Sequence, residues 1–519
     1  MFVAPAADAV PGDPTAYVLA RAAAADGAVD TAVAGYALAL AAAPDDPLVA
    51  IRAYREGLNA GDMDLARRAA AALARFNAAP ADTAILAFAD ATLKRDATAA
   101  NAALERLAAG PLDFMAPVLR AWLVQSKGAD PLPLLEANQK SALARRYSAE
   151  HRALLLIANG RVQPGMAALR ALFGSDVDSP DLRFDAARLL IGAKQKDIAL
   201  SLFEGDQKFL KTQLGKGARP SVAFGAARLF TRVASDLAQQ DTRSMSIALT
   251  RAALLLDPND DEARLLLANA LSSGGANERA LALLGAIRDD SMFARRREIA
   301  LVSVLSRAGK DAAALDHARA LAESPLATER DAQVYGDLLG DRRRYGAAAA
   351  AYDQAIARAG DRASWILHLQ KGSALERANR WDEALPELRK AVELAPDQPA
   401  ALNYLGYAQA ERKENLVEAQ ALLERARKLQ PDSAPISDSL AWAYFQRGQI
   451  DKALPLLESA AKAEPANSTI NEHLGDVYWA VGRHYEARYA WRAAEIYADG
   501  KDAERLTAKI ATGAAFATR

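Results

Sequence analysis

Cysteine is absent from all 519 residues, which excludes disulfides, thiolate metal sites and a cysteine nucleophile. Aromatic residues supply only 6%, while about a quarter of the chain is Ala. A sequence poor in strand formers and rich in the strongest helix former predicts closely packed helices. Neither sign of charge prevails: 64 Lys and Arg against 65 Asp and Glu leave a formal charge of -1. Nothing therefore draws the whole chain to a polyanion, and nucleic acid is not an expected partner. No run of eighteen apolar residues occurs, because Arg, Asp or Gly interrupts even the Ala-rich stretches, so no transmembrane segment is expected. What is present, 51% hydrophobic residues, is enough to offset the ordering cost of a folded core and excludes a wholly disordered chain.

Length alone would suggest three or four domains, an expectation that internal repeats override. Leu474-Gly475, Tyr478, Gly482, Ala487, Trp491 and Ala494 each lie 34 residues after Leu440-Ala441, Tyr444, Gly448, Ala453, Leu457 and Ala460. One unit earlier come Leu405-Gly406, Ala419, Leu423 and Ala426, with one extra residue between Arg412 and Leu416. Gly372, Leu375, Trp381, Ala384, Leu388 and Ala391 precede these, and Gly336, Leu339, Tyr345, Ala348, Tyr352 and Ala355 precede those. Each unit reads as a helix, a short turn often marked by Gly, and a second helix ending near Pro396, Pro431 or Pro465. Small residues fall where two backbones must approach closely, and Leu457 or Trp491 fills the space beside them. Pro386 and Pro455 share a register near the start of second helices, where they are expected to be tolerated.

This pattern resembles the tetratricopeptide repeat. The resemblance implies an all-α, right-handed α-solenoid of stacked helix-turn-helix hairpins, whose contacts should run between neighbouring units. The expected organisation is a disordered N-terminus at 1–12, N-terminal repeats at 13–80, diverged helical hairpins at 81–226, a repeat array at 227–500, and a C-terminal capping helix and tail at 501–519. Phe2-Val3-Ala4-Pro5-Ala6 has the A-x-A form that ends a secretion signal, without a basic or apolar region before it. The chain is thus read as cytoplasmic as written, or as periplasmic if a signal peptide is missing upstream of Met1.

Chemistry is sought next. None of the five His, at 151, 317, 368, 473 and 484, belongs to an H-E-x-x-H pair or has metal-ligand spacing. Gly215-Lys216-Gly217 lacks the first Gly and the Ser/Thr of a phosphate loop and reads as a flexible connection, with Lys208, Lys211 and Arg219 as a solvated basic stretch. Arg295-Arg296-Arg297 and Arg342-Arg343-Arg344 have no interleaved aromatics for base stacking. The expectation is no catalytic residue, no cofactor and no metal.

Helical spacing places Asp438, Trp442 and Phe445 on a face distinct from Leu440, Ala441 and Tyr444. In the family that face lines the concave groove where partner peptides bind. Asn403 and Tyr407 one repeat earlier, and Glu472, Asp476 and Trp479 one repeat later, take equivalent positions. Rings beside amides and carboxylates suit peptide recognition; the alternative is that Trp442, Phe445 and Trp479 only wedge first helices together. Carboxylate-clamp members of the family carry Lys and Arg in the groove, whereas Asp438, Glu472 and Asp476 have the opposite sign, so a ligand with Lys, Arg or a free amine is favoured. The resemblance implies a non-enzymatic scaffold or adaptor that binds a protein or peptide. The terminal block, 402–479, also resembles bacterial envelope-associated members, so a cell-envelope assembly factor is the alternative, and an enzyme with a site in 81–226 is a third reading.

Overall fold

The computed structural model describes residues 15–138, 141–174, 180–203, 213–237 and 242–513. The expectations for 1–12, for the A-x-A segment and for Lys208 and Lys211 lie outside them. Every regular element among the described residues is helical, and the fold is of the all-α α-solenoid type, built of stacked hairpins. No helix among them is long and apolar enough to cross a membrane. The chain divides into two compact units, Met1–His317 and Ala318–Arg519.

In the second unit, hairpins occupy 329–359, 365–394, 399–429, 434–463 and 468–496, and the helix Gly500–Thr512 follows. Packing explains the small residues. A Cβ at Gly475 would overlap the Trp491 indole, and one at Gly406 would lie 2.6 Å from Leu423 Cγ. In the same register Ala441 stands beside Leu457, and both are buried. Local chemistry starts the helices: Thr328 and Asp331 form a reciprocal cap, and the Asn467 side chain accepts from Ile470 N–H. The extra residue between Arg412 and Leu416 is absorbed by two left-handed residues, Lys413 and Asn415. Pro386 and Pro455 sit inside the helices Trp381–Leu394 and Ile450–Ala463, each removing one backbone bond while the helix continues.

The first unit corrects the expectation of purely neighbouring contacts. The helix Arg243–Leu256 packs against Pro47–Ala60 and Thr83–Leu93, and Val222–Leu237 packs against Thr83–Leu93 and Ala116–Ser126. Phe88 meets Phe230 edge-on with ring centroids 6.5 Å apart, and Trp122 meets Phe224 at 5.8 Å. Tyr147 OH donates to Asp236 at 2.7 Å, and Arg279 pairs with Asp30. Arg251 donates to the carbonyls of Leu58 (2.8 Å) and Asn59 (2.9 Å), which end the helix Pro47–Ala60 and have no helical donors of their own. The physical reason lies in burial. Seven of the eleven residues of Thr83–Leu93 are buried, so this helix needs apolar neighbours all round and not only along one stripe.

Candidate functional site

Four of the eight groove residues, Tyr407, Asp438, Trp442 and Phe445, form a cluster built around a residue that sequence reasoning passed over. His473 Nδ1 lies 2.9 Å from the Asp438 carboxylate, and both are buried. The Trp442 ring stacks on the His473 ring at 4.0 Å and 13°, with Phe445 5.2 Å from Trp442 and Tyr407 6.1 Å from His473. Burial opposes charging His473, but the Asp438 carboxylate outweighs it, and the net effect raises its pKa. Burial also raises the Tyr407 phenol, with Glu411 and Asp438 adding to it. Trp442 Nε1 and Asn403 Oδ1 are buried atoms with no hydrogen-bond partner in the structure. The helix Ala434–Gln446 is buried without a break from Ile436 to Ala443, so the faces separated by spacing both meet protein.

Glu472, Asp476 and Trp479 lie under the helix Gly500–Thr512. Lys509 Nζ donates to Glu472 at 2.7 Å and to the two Asp476 oxygens at 2.8 and 2.7 Å. Arg505 also reaches Glu472, and Trp491 Nε1 donates to Asp476 at 2.9 Å. Desolvation, the largest influence on Lys509, lowers its pKa in spite of Asp476. Trp479 stacks on His484 at 4.0 Å, and a Cβ at Gly513 would overlap it. The three groove carboxylates are thus all paired within the chain. Both partners had a signal in the numbering: His473 follows Glu472, and Lys509 falls one period of 34 after Gly475.

The open part of the same face lies upstream. A groove of about 690 Å³ is framed by the first helices of three successive hairpins, Glu329–Asp341, Trp365–Arg377 and Pro399–Glu411. Asp337 is its centre, accepting from Tyr352 OH at 2.9 Å and from Gln370 Nε2 at 2.7 Å; burial raises the Asp337 pKa. Tyr404 OH donates to Ser373 Oγ at 2.7 Å. At the rim the exposed Arg377 guanidinium lies 5.4 Å over the Tyr345 ring, near Asp341 and Arg343. Asp337 and Ser373 share the register of Tyr407 and Trp442, so extending that register two repeats upstream would have found them.

A second cavity, of about 240 Å³, lies in the first unit and takes Asp185, Arg188 and Gly217 from the 81–226 stretch. Arg228 Nε lies 3.0 Å from Asp185, Arg188 pairs with Asp257 at 3.1 Å, and Thr231 OH donates to Asp260 at 2.7 Å. Desolvation pushes Asp185 up to about 6 against the pull of Arg228 and Arg188, and raises Asp260 and Glu262 as well. Polar side chains here face one another, while Arg228 Nε and Nη2 are buried with no hydrogen-bond partner in the structure. Ala218 N–H donates to Arg188 O at 2.7 Å, so the Gly215-Lys216-Gly217 turn packs on the helix Pro180–Gly192. Among the histidines, Trp122 Nε1 donates to His151 at 2.9 Å, while His317 and His368 each meet a Glu at 2.7 Å.

Residues 336–399 and 369–434 match one tetratricopeptide repeat family model, and residues 410–468 match a second. A TPR repeat-containing protein of Pseudomonas aeruginosa is 36% identical over 78 residues, 15% of this chain and 13% of that protein. The chain therefore covers only a small part of that relative. Among solved structures, MamA from Desulfovibrio magneticus RS-1 is 18% identical with a TM-score of 0.29, covering 33% of this chain and 94% of that one. A thermophilic TPR protein of Thermus thermophilus is 21% identical with a TM-score of 0.32, covering 36% and 98%.

Proposed function

We propose, from the premise that this chain is a tetratricopeptide-repeat protein and in general a protein-interaction scaffold, that it holds a partner's peptide segment in the groove between Asp337 and Tyr404. The observation that carries this is the 690 Å³ groove itself, framed by three successive first helices and lined by tyrosine, amide, hydroxyl, carboxylate and guanidinium groups. Tyr345 and Tyr404 offer area at low entropic cost, while Ser373, accepting from Tyr404, keeps its own O–H for a ligand backbone. Exposed Asp341, Arg343 and Arg377 give the rim both signs, so a segment carrying both an acidic and a basic residue fits it better than a uniformly charged tail. The Gln333–Gln370–Asp337–Tyr352 hydrogen-bond chain holds the floor in place before the ligand arrives.

The residues Asn403, Tyr407, Asp438, Trp442 and Phe445 serve, in this proposal, mainly to set the stacking of the first helices that extend the groove. The test is recovery of partners from native extract by the wild type, by Ser373→Arg, which fills the groove, and by the Trp442→Ala/Trp479→Ala pair. A prey lost with Ser373→Arg and kept by the double variant supports the proposal. The reverse pattern moves the binding face to the later repeats.

A further inference from the structure

The acidic pair Glu472–Asp476 already shows what it binds. The resident group is a lysine on an amphipathic helix, Gly500–Thr512, in which only Leu506 and Lys509 are buried. By register this helix is the first of a further hairpin, with Lys509 where Gly475 stands one period earlier. The small residue at Gly475 is enforced by the second helix of its own hairpin, through Trp491. At Lys509 the long side chain turns back onto the preceding unit, where it meets Glu472 and Asp476. Lysine is a poor choice for stability alone. Burying an ammonium with two carboxylates recovers little more than its desolvation cost, and an apolar side chain of similar size, with the acids replaced too, would cap the unit as well. The arrangement adds selectivity: with Lys509 absent, Asp476 would keep only the Trp491 indole N–H and Glu472 only Arg505.

We propose that Glu472, Asp476 and the flanking Trp479 and Trp491 form a docking site for a lysine-bearing amphipathic helix of a partner protein, with the chain's own C-terminal helix as the displaceable stand-in. Leu506 fixes the apolar anchor three residues before the lysine, against Ala487, Trp491 and Ala494. The backbone at Gly513 covers Trp479, so the same displacement uncovers an aromatic platform. A partner helix must therefore carry Leu three residues before Lys, and a small residue four after it. This site is separate from the groove at Asp337–Tyr404, and failure of either leaves the other standing.

The probe is a fluorescent peptide with the sequence of residues 500–513, titrated into the full chain and followed by anisotropy. In the wild type the tethered helix competes; Leu506→Asp and, separately, Lys509→Glu release it, and hydrogen exchange of 500–513 verifies the release. Peptide affinity should rise at least tenfold in both variants. It should fall at least tenfold when the peptide's lysine is replaced by Ala, or when Glu472→Gln/Asp476→Asn is added to Leu506→Asp. Equal affinity for the Lys and Ala peptides, or protection of 500–513 unchanged in both variants, overturns the proposal. So does self-association of the wild type that the peptide dissolves, since it would make a second copy the occupant.

Discussion

Replacing Arg251 by Ala should open the first unit between segments far apart in the chain. The guanidinium makes two charge-assisted hydrogen bonds, at 2.8 and 2.9 Å, to the carbonyls of Leu58 and Asn59. Those carbonyls belong to the last turn of Pro47–Ala60, where no helical donor reaches them and where the helix dipole favours a cation. Burial, with Arg279 nearby, pushes the Arg251 pKa down to about 10, which leaves it charged at neutral pH. A hydrogen bond to a charged group is worth about 1.5–3 kcal/mol. Part of the sum goes to desolvating the arginine, so Arg251→Ala should cost about 3–4 kcal/mol. Arg251→Lys can hold one carbonyl as a point charge and should lose about half as much. Hydrogen exchange resolves the effect by segment: protection should fall in Pro47–Ala60 as well as in Arg243–Leu256. A loss below about 0.5 kcal/mol, within the range of ordinary surface substitutions, or one confined to Arg243–Leu256, would refute the reasoning.

Three further outcomes follow from named contacts. Gly475→Ala should lower the melting temperature of the second unit, because overpacking against Trp491 costs about 1–3 kcal/mol and outweighs the roughly 1 kcal/mol gain in helix propensity; in a Trp491→Leu background, itself less stable for the lost burial, the same Gly475→Ala change should cost less. His151 is held neutral, its pKa pushed down to about 3 by burial and by Arg228. It charges only on unfolding, so its contribution is complete above pH 6.5 and is lost by about 1.4 kcal/mol per pH unit as pH falls below that; His151→Gln should become progressively more stable relative to the wild type across that range. Asp185 has the opposite sign: raised to about 6 in the folded chain, it takes up its proton there before the unfolded chain does, so Asp185→Asn should lose ground to the wild type between pH 6 and about 4. Urea titrations of each pair at several pH values read both slopes.

The hairpins were legible because one physical demand repeats: a first helix must present Gly or Ala to the bulky residue of its second helix, as Gly475 does to Trp491. The closure of the first unit was not, because periodicity reports which face of a helix is buried and not which distant segment buries it. Its trace in the sequence is Thr83–Leu93, apolar on nearly every side. The groove register was also readable, and Asn403, Tyr407, Asp438, Trp442, Phe445, Glu472, Asp476 and Trp479 do lie on successive first helices. The burial of Asp438, Glu472 and Asp476 was hidden, since it depends on His473 and Lys509 reaching across from the following first helices. Charge sign alone could not reveal that the partners of those carboxylates were already in the chain.

The most direct measurement places a photoactivatable cross-linking residue at Ser373, on the groove floor, or at the exposed Leu394 of the second helix behind it, and irradiates each chain in native extract. The account predicts a discrete adduct from position 373 that is absent at 394 and lost when Tyr404→Ala is added. Adducts of equal yield at both positions, or at 394 alone, would contradict it.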